Sequence, residues 1–269
     1  MQRQLQDVQI YDSKSAESPF MAFLKATNEK TILANKISNI VACNRPKSTE
    51  NLNILDIGCG DGSMSSMYVK ALQNKFNQIN FTGIDPVKYN VSKAIENFKT
   101  IKTQSTFLIN TYDHNFFESQ KFDLIIASNL YYLDIAEIPE FINQTSELLS
   151  QTGIMLFIYR GPDDQLLEFR NLFERMIYGE YRKPRTMNDV IKTCNKDRLH
   201  YQGPISCNSK LSFPKNKQAK DKIIEFILNR DIVDIDRQIL ELIYHYICKN
   251  DGNFKTTQQI IIVKNPQVN

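Results

Sequence analysis

The chain has 269 residues, 42% of them hydrophobic, with 33 basic and 30 acidic residues and a formal net charge of +3. That length and apolar content allow one domain with an appendage and a sizeable core, while so mild a charge argues against the clustered basic face of a nucleic-acid binder. Five widely spaced cysteines (Cys43, Cys59, Cys194, Cys207, Cys248) with no C-x-x-C pair speak for reduced thiols rather than a disulfide framework or zinc site.

Residues 17–42 are expected to be helical. Phe20, Phe23 and Leu24 share one face, and Ile32, Leu33, Ile37 and Ile40–Val41 continue an apolar stripe. "NRPKSTEN" (Asn44–Asn51) has the turn chemistry of a linker. An alternation of strands and helices then begins. "LNILDI" is the first strand, followed from Ser63 by a helix with Met64, Met67–Tyr68, Ala71–Leu72 and Phe76 on one side. "INFTGID" (Ile79–Asp85) is a second strand, "VSKAIENFK" a helix, "TFLIN" (Thr106–Asn110) a third strand and "FDLIIAS" (Phe122–Ser128) a fourth. Ile138–Gly153 is expected as a helix opened by Pro139 and closed by Gly153, before a fifth strand, Ile154–Tyr159.

After Arg160 come a helix (Gln165–Gly179), a second ("MNDVIKTCNK"), a strand ("HYQGPISCNSKL"), a helical pair and a last strand, Thr256–Lys264. Near-continuous apolar strands between amphipathic helices mean a parallel sheet covered on both faces. Right-handed crossovers make it a Rossmann-like, doubly wound, mostly parallel α/β sheet, here of seven strands. The whole of 1–269 reads as one domain: a helical cap over 17–45, a ligand-binding core over 51–160, and a segment 161–269 that completes the sheet and carries a helical lid at about 213–250. The basic clusters "YRKPR" (Tyr181–Arg185) and Lys210 to Lys222 read as solvated loop faces. No apolar run approaches the ~20 residues of a membrane span, and the N-terminus has no signal-peptide core. A soluble, cytoplasmic monomer without nucleic-acid or membrane partners is expected.

The densest signal is "NILDIGCGDGSMS". Three of the chain's 9 glycines, Gly58, Gly60 and Gly62, stand between a strand and a helix. Bare backbone lets a ligand approach closely, and a helix N-terminus adds free N–H groups. The dinucleotide fingerprint is G-x-G-x-x-G; here the spacing is G-x-G-x-G, and Ser63 breaks the pattern. Asp85 closes the second strand 23 residues after Gly62, where a carboxylate can accept both hydroxyls of a ribose. A ligand without a pyrophosphate is expected.

These residues carry a resemblance. "LDIGCGDG" resembles the first motif of class I S-adenosylmethionine-dependent methyltransferases (EC 2.1.1.-), and "GIDP" (Gly83–Pro86) their second. "FDLIIASNLYYL" with "LLSQTGIMLFI" resembles the later motifs, so the likeness spans 52–160. It implies S-adenosyl-L-methionine as cofactor, with the glycine turn and Asp56 at its methionine part and Asp85 on its ribose. The adenine would lie near Pro86–Val87, Asn90 and the stretch Thr111 to Asp113, including Tyr112 and Asp113, with Ala127 and Ser128 closing the cofactor site. The order "FMAFLKATNEK", "LDIGCGDG", "ASNLYYL" and "FKTTQQIIIVK" is similar to the histamine N-methyltransferase family. That likeness implies acceptor contacts from Phe20, Phe23 and Glu29, and from Tyr131 and Tyr132. Ser128 and Thr256 replace a glutamine and an asparagine of that family, so a small amine is implied more than histamine itself.

Methyl transfer is an in-line displacement in which the protein aligns donor and acceptor and excludes water. An amine must be unprotonated to attack, so a nearby carboxylate can bind the cation and accept its proton. Glu29 is the candidate. Tyr131 and Tyr132 can wall the methyl and the amine, since aromatic faces attract cations. "SNLYY" lacks the prolines of the N-P-P-Y signature of base-amine methyltransferases. His114, His200 and His245 are scattered, and no metal is expected. Two alternatives stay open: an O- or C-methyltransferase of a small metabolite or natural product, and a cofactor-binding protein without catalysis.

Overall fold

The computed structural model describes residues 18–44, 51–179 and 185–265. Most of the predicted linker (45–50) and of the first basic cluster (181–184) lies outside them. Helices α1 (Pro19–Ala26) and α2 (Glu29–Asn44) precede β1 (Asn51–Ile57), α3 (Ser63–Leu72), β2 (Gln78–Asp85), α4 (Lys88–Phe98), β3 (Gln104–Ile109) and β4 (Phe122–Ser128). Then follow α5 (Ile138–Ser146), β5 (Leu149–Arg160), α6 (Gln165–Tyr178), α7 (Met187–Lys196), β6 (Gln202–Ser212), α8 (Lys217–Leu228), α9 (Arg237–Lys249) and β7 (Asn253–Lys264).

One seven-stranded sheet results, in the order β3-β2-β1-β4-β5-β7-β6. The pairs β1–β2, β2–β3, β1–β4 and β4–β5 are parallel. Side-chain bonds between Ser212 and Asn253, Asn208 and Thr257, and Ser206 and Gln259 step in opposite directions along β6 and β7, so that pair is antiparallel. The sheet is the mostly parallel, doubly wound one expected, and the two late strands extend it.

The described residues form two compact units. One holds 18–29, 161–179 with 185, and 208–258; the other holds 30–44, 51–160, 186–207 and 259–265. In the second, larger unit the period-2 geometry of strands sends alternate residues to opposite faces. Ile54, Leu124, Ile126, Leu156 and Ile158 join one buried cluster with Leu33, Ile37 and Val41 of α2 and Tyr68, Val69 and Leu72 of α3. Leu55, Ile57, Ile125, Ala127 and Phe157 join the other with Ile138 and Ile142 of α5 and Met187, Val190 and Cys194 of α7. Each fully buried large aliphatic is worth roughly 1.5–3 kcal/mol, which explains why β1, β4 and β5 read as apolar runs. The smaller unit has its own core: Phe169 and Phe173 of α6, Ile224 and Leu228 of α8, Ile243 and Ile247 of α9, and Phe254 of β7.

Two expected elements are corrected. The helix expected over 17–42 is two, broken because Thr27 pairs with Leu211 in an antiparallel bridge and Asn28 exchanges hydrogen bonds with Lys210, through its N–H at 3.2 Å and its side-chain oxygen at 2.8 Å. The helix expected to run to Gly153 ends at Ser146, and Gly153 lies inside β5. A Cβ there would come within 2.6 Å of the Phe122 carbonyl, beside a register shift between β4 and β5. The glycine serves close strand approach, not a helix stop.

Candidate active site

The turn between β1 and α3 is built on three left-handed glycines, with φ of +70° at Gly58, +56° at Gly60 and +67° at Gly62. Side chains rarely adopt this conformation. The N–H groups of Gly58 and Cys59 donate to the Ile84 carbonyl at 2.8 and 3.1 Å, fastening the turn to the end of β2. A Cβ on Gly62 would come within 2.8 Å of Ala94 Cβ, and one on Gly58 within 2.8 Å of Leu130 Cδ2, whereas one on Gly60 would meet nothing within 4 Å. Gly58 and Gly62 thus serve packing, and Gly60 alone of the three faces open space. That bare backbone leaves a ligand room to approach the turn.

Two acids flank it. Asp56, 1% exposed, accepts from Ser65 Oγ at 2.5 Å and Tyr68 OH at 2.8 Å, both on Oδ2. Burial pushes its pKa up to about 6 against those two hydrogen bonds. Asp85 accepts from the Gly60 N–H at 3.0 Å on Oδ2, and from the Val87 N–H at 2.9 Å and Asn90 Nδ2 at 3.3 Å on Oδ1. Burial raises its pKa too, against those donors. A carboxylate offers about four acceptor positions, so Asp85 braces the turn and keeps capacity for a ligand hydroxyl. Burial raises the Cys59 thiol pKa well above its usual value, with Asp56 and Asp85 adding to it, so Cys59 is not a thiolate nucleophile.

The other expected cofactor residues lie in the same larger unit. Pro86 is exposed just after β2. Tyr112 donates to Thr145 Oγ1 at 3.0 Å and packs against Phe117 and Phe141. Asp113 accepts from the Asn115 backbone and side chain at 3.0 and 2.7 Å, capping a short 3-10 turn. Ala127 is fully buried and offers its backbone alone; Ser128 ends β4.

Beyond it, Asn129 takes a left-handed φ of +55°, an uncommon state for a residue with a side chain. It accepts at 2.7 Å from Tyr131 OH, whose ring meets Tyr159 edge-on at 5.1 Å. Tyr132 is partly exposed; desolvation, then the charge of Asp85, push its pKa up to about 12.

The expected acceptor residues Phe20, Phe23, Glu29 and Thr256 belong to the smaller unit. Phe20 and Phe23 pack on Phe226, with ring centroids 5.3 and 4.7 Å apart. Thr256 is fully buried, its hydroxyl 2.6 Å from that of Ser209. Glu29 is 9% exposed in the first turn of α2. The sequence reading passes over Ser65, Tyr68 and Lys30. The first two are three residues apart on α3, a spacing that shares a face. Lys30, which donates to Asp61 Oδ1 at 2.8 Å, has no local signal.

Comparison with known proteins bears on the same residues. The stretch 54–153 matches the family model of a methyltransferase domain. Among curated proteins none matches the chain. Among solved structures it is similar to the YcgJ protein from Bacillus subtilis, at 15% identity and a TM-score of 0.52 over 86% of this chain and 97% of that one. It is also similar to an S-adenosylmethionine-dependent methyltransferase from Thiobacillus denitrificans solved with S-adenosyl-L-homocysteine, at 12% identity and a TM-score of 0.51 over 96% and 98%. At these identities the structural likeness carries the fold. Family match and glycine turn coincide on β1, the turn and α3, and residues 54–153 are on that ground a methyltransferase domain.

Proposed function

We propose that this enzyme methylates the nitrogen of a small amine. The cofactor, when bound, supplies a methyl group activated on a sulfonium. Asp56, ionised above its pKa of about 6, is the partner of the cofactor's ammonium, its Oδ2 already steadied by Ser65 and Tyr68. Asp85, with three donors already on its oxygens, keeps an acceptor position for a ribose hydroxyl. Tyr132, whose pKa responds to Asp85, stands with the cofactor residues.

The observation that carries the amine reading is Glu29, a carboxylate only 9% exposed. A carboxylate can bind an ammonium and take its proton before attack. Tyr131, with its ring partly exposed, offers an aromatic face of the kind that attracts cations. The test is incubation with pooled small amines, phenols and carboxylic acids, with detection of S-adenosylhomocysteine. Turnover of amines supports the proposal; turnover of phenols or acids with no amine product overturns it.

A further inference from the structure

The glycine turn is gripped from outside the matched stretch. Lys30, in the first turn of α2, places Nζ 2.8 Å from Asp61 Oδ1 and 2.5 Å from Ser63 Oγ. The same Asp61 oxygen accepts from the Ser63 N–H at 3.1 Å and from its hydroxyl at 2.7 Å, and Asn97 Nδ2 donates to the Asp61 carbonyl at 2.8 Å. Burial opposes ionisation of Asp61, but the Lys30 charge and hydrogen bond outweigh it and hold its pKa below the usual value. Asp61 is therefore ionised at neutral pH.

An ammonium has three donors. Two are spoken for, and the Lys30 side chain stays 28% exposed. Ser63 opens α3, and Gly62 before it makes no side-chain cap. The positive end of the α3 dipole and a lysine charge thus meet at one end of the turn, an arrangement that favours an anion. The two flanking acids answer the cofactor's ammonium and ribose. They leave its α-carboxylate without a counter-charge.

We propose that Lys30 is the residue that binds the carboxylate of the cofactor's methionine part. Asp61 and Ser63 fix the ammonium at the turn, and its third N–H and the start of α3 receive the carboxylate. Lys30 also neutralises Asp61, which would otherwise repel an anion at the same place. The inference rests on the S-adenosylmethionine reading of the site.

The experiment is a cycle between a protein variant and a ligand variant, read by calorimetry. Wild type and Lys30→Met are each titrated with S-adenosylhomocysteine and with its carboxyl methyl ester. Wild type should prefer the free acid by about tenfold, the scale of a charge-assisted hydrogen bond partly open to solvent. Lys30→Met should bind the acid about tenfold more weakly than wild type and distinguish acid from ester by less than twofold. Lys30→Gln, which keeps hydrogen bonding without the charge, should behave like Lys30→Met and keeps the test open if the methionine variant does not fold. Lys30→Arg should restore the preference for the acid. The proposal is overturned if the variants lose acid and ester equally, because Lys30 would then only brace the turn, or if they keep the wild-type preference. Wild type that binds neither ligand would instead overturn the cofactor reading itself.

Discussion

Replacing Asp56 with asparagine should strengthen the ligand-free protein and weaken cofactor binding together. Asp56 is fully buried and its pKa stands at about 6, against an ordinary 3.8. A group whose pKa is raised on folding destabilises the folded state where it is ionised. That penalty is fully present above about pH 6, recedes as pH falls through 6, and is gone below the unfolded value. Two pKa units correspond to about 3 kcal/mol, an order-of-magnitude figure for the cost above pH 6. Asparagine has nearly the same shape, and its oxygen can accept from Ser65 and Tyr68 as Oδ2 does. At pH 8 the variant should therefore melt higher by several degrees, at roughly 2–4 °C per kcal/mol for a chain of this size. At pH 5, about midway between the folded and unfolded pKa values, the gap should shrink to roughly half of its size at pH 8. Loss of a charge-assisted bond to the cofactor's ammonium should cost about 1.5–3 kcal/mol, a tenfold or greater rise in the Kd for S-adenosylhomocysteine. Thermal melts at both pH values with calorimetry at pH 8 make the assay. A variant that melts lower by the same amount at both pH values, and binds like wild type, would refute the reasoning.

Further outcomes follow from the same geometry. Wild-type affinity for S-adenosylhomocysteine should fall as pH drops through about 6, measured by calorimetry in one buffer series, and Asp56→Asn should flatten that fall. Gly62→Ala drives a Cβ to within 2.9 Å of the Ala94 backbone and should cost about 2 kcal/mol or more of stability in denaturant melts. Gly60→Ala has room for its Cβ, so it should cost only the roughly 1 kcal/mol of a left-handed alanine while weakening cofactor binding at least tenfold. Glu29→Gln should lower turnover of amines by about 10²-fold or more and leave the Kd for S-adenosylhomocysteine within twofold. Unchanged turnover would remove Glu29 from the chemistry.

The parts of the molecule legible in the sequence are those set by local chemistry. β1, β4 and β5 announce themselves as apolar runs because both faces of the sheet are covered. The glycine turn is legible because its three positive φ angles exclude most side chains. The break at Thr27 and Asn28 is not, because its cause is a strand 182 residues away. Ser146 ends α5 for a similar reason: the chain must enter β5 early enough for Leu149 to pair with Phe122. Tyr68 reads as one more apolar residue on α3, yet its hydroxyl returns to Asp56. Lys30 is an ordinary helix lysine until folding brings it 2.8 Å from Asp61, 31 residues on. The backbone demands of the site are written in residue types; the charges that complete it come from tertiary placement.

Methyl transfer from S-adenosylmethionine to an amine is tested most directly by the product mass from one incubation. The protein is mixed with S-adenosylmethionine bearing a trideuteromethyl group and with a pool of small amines, phenols and carboxylic acids. S-adenosylhomocysteine should form, and the intact trideuteromethyl group should appear on an amine nitrogen. The label on an oxygen or carbon acceptor alone, or no S-adenosylhomocysteine above the protein-free control, would contradict methyl transfer to an amine.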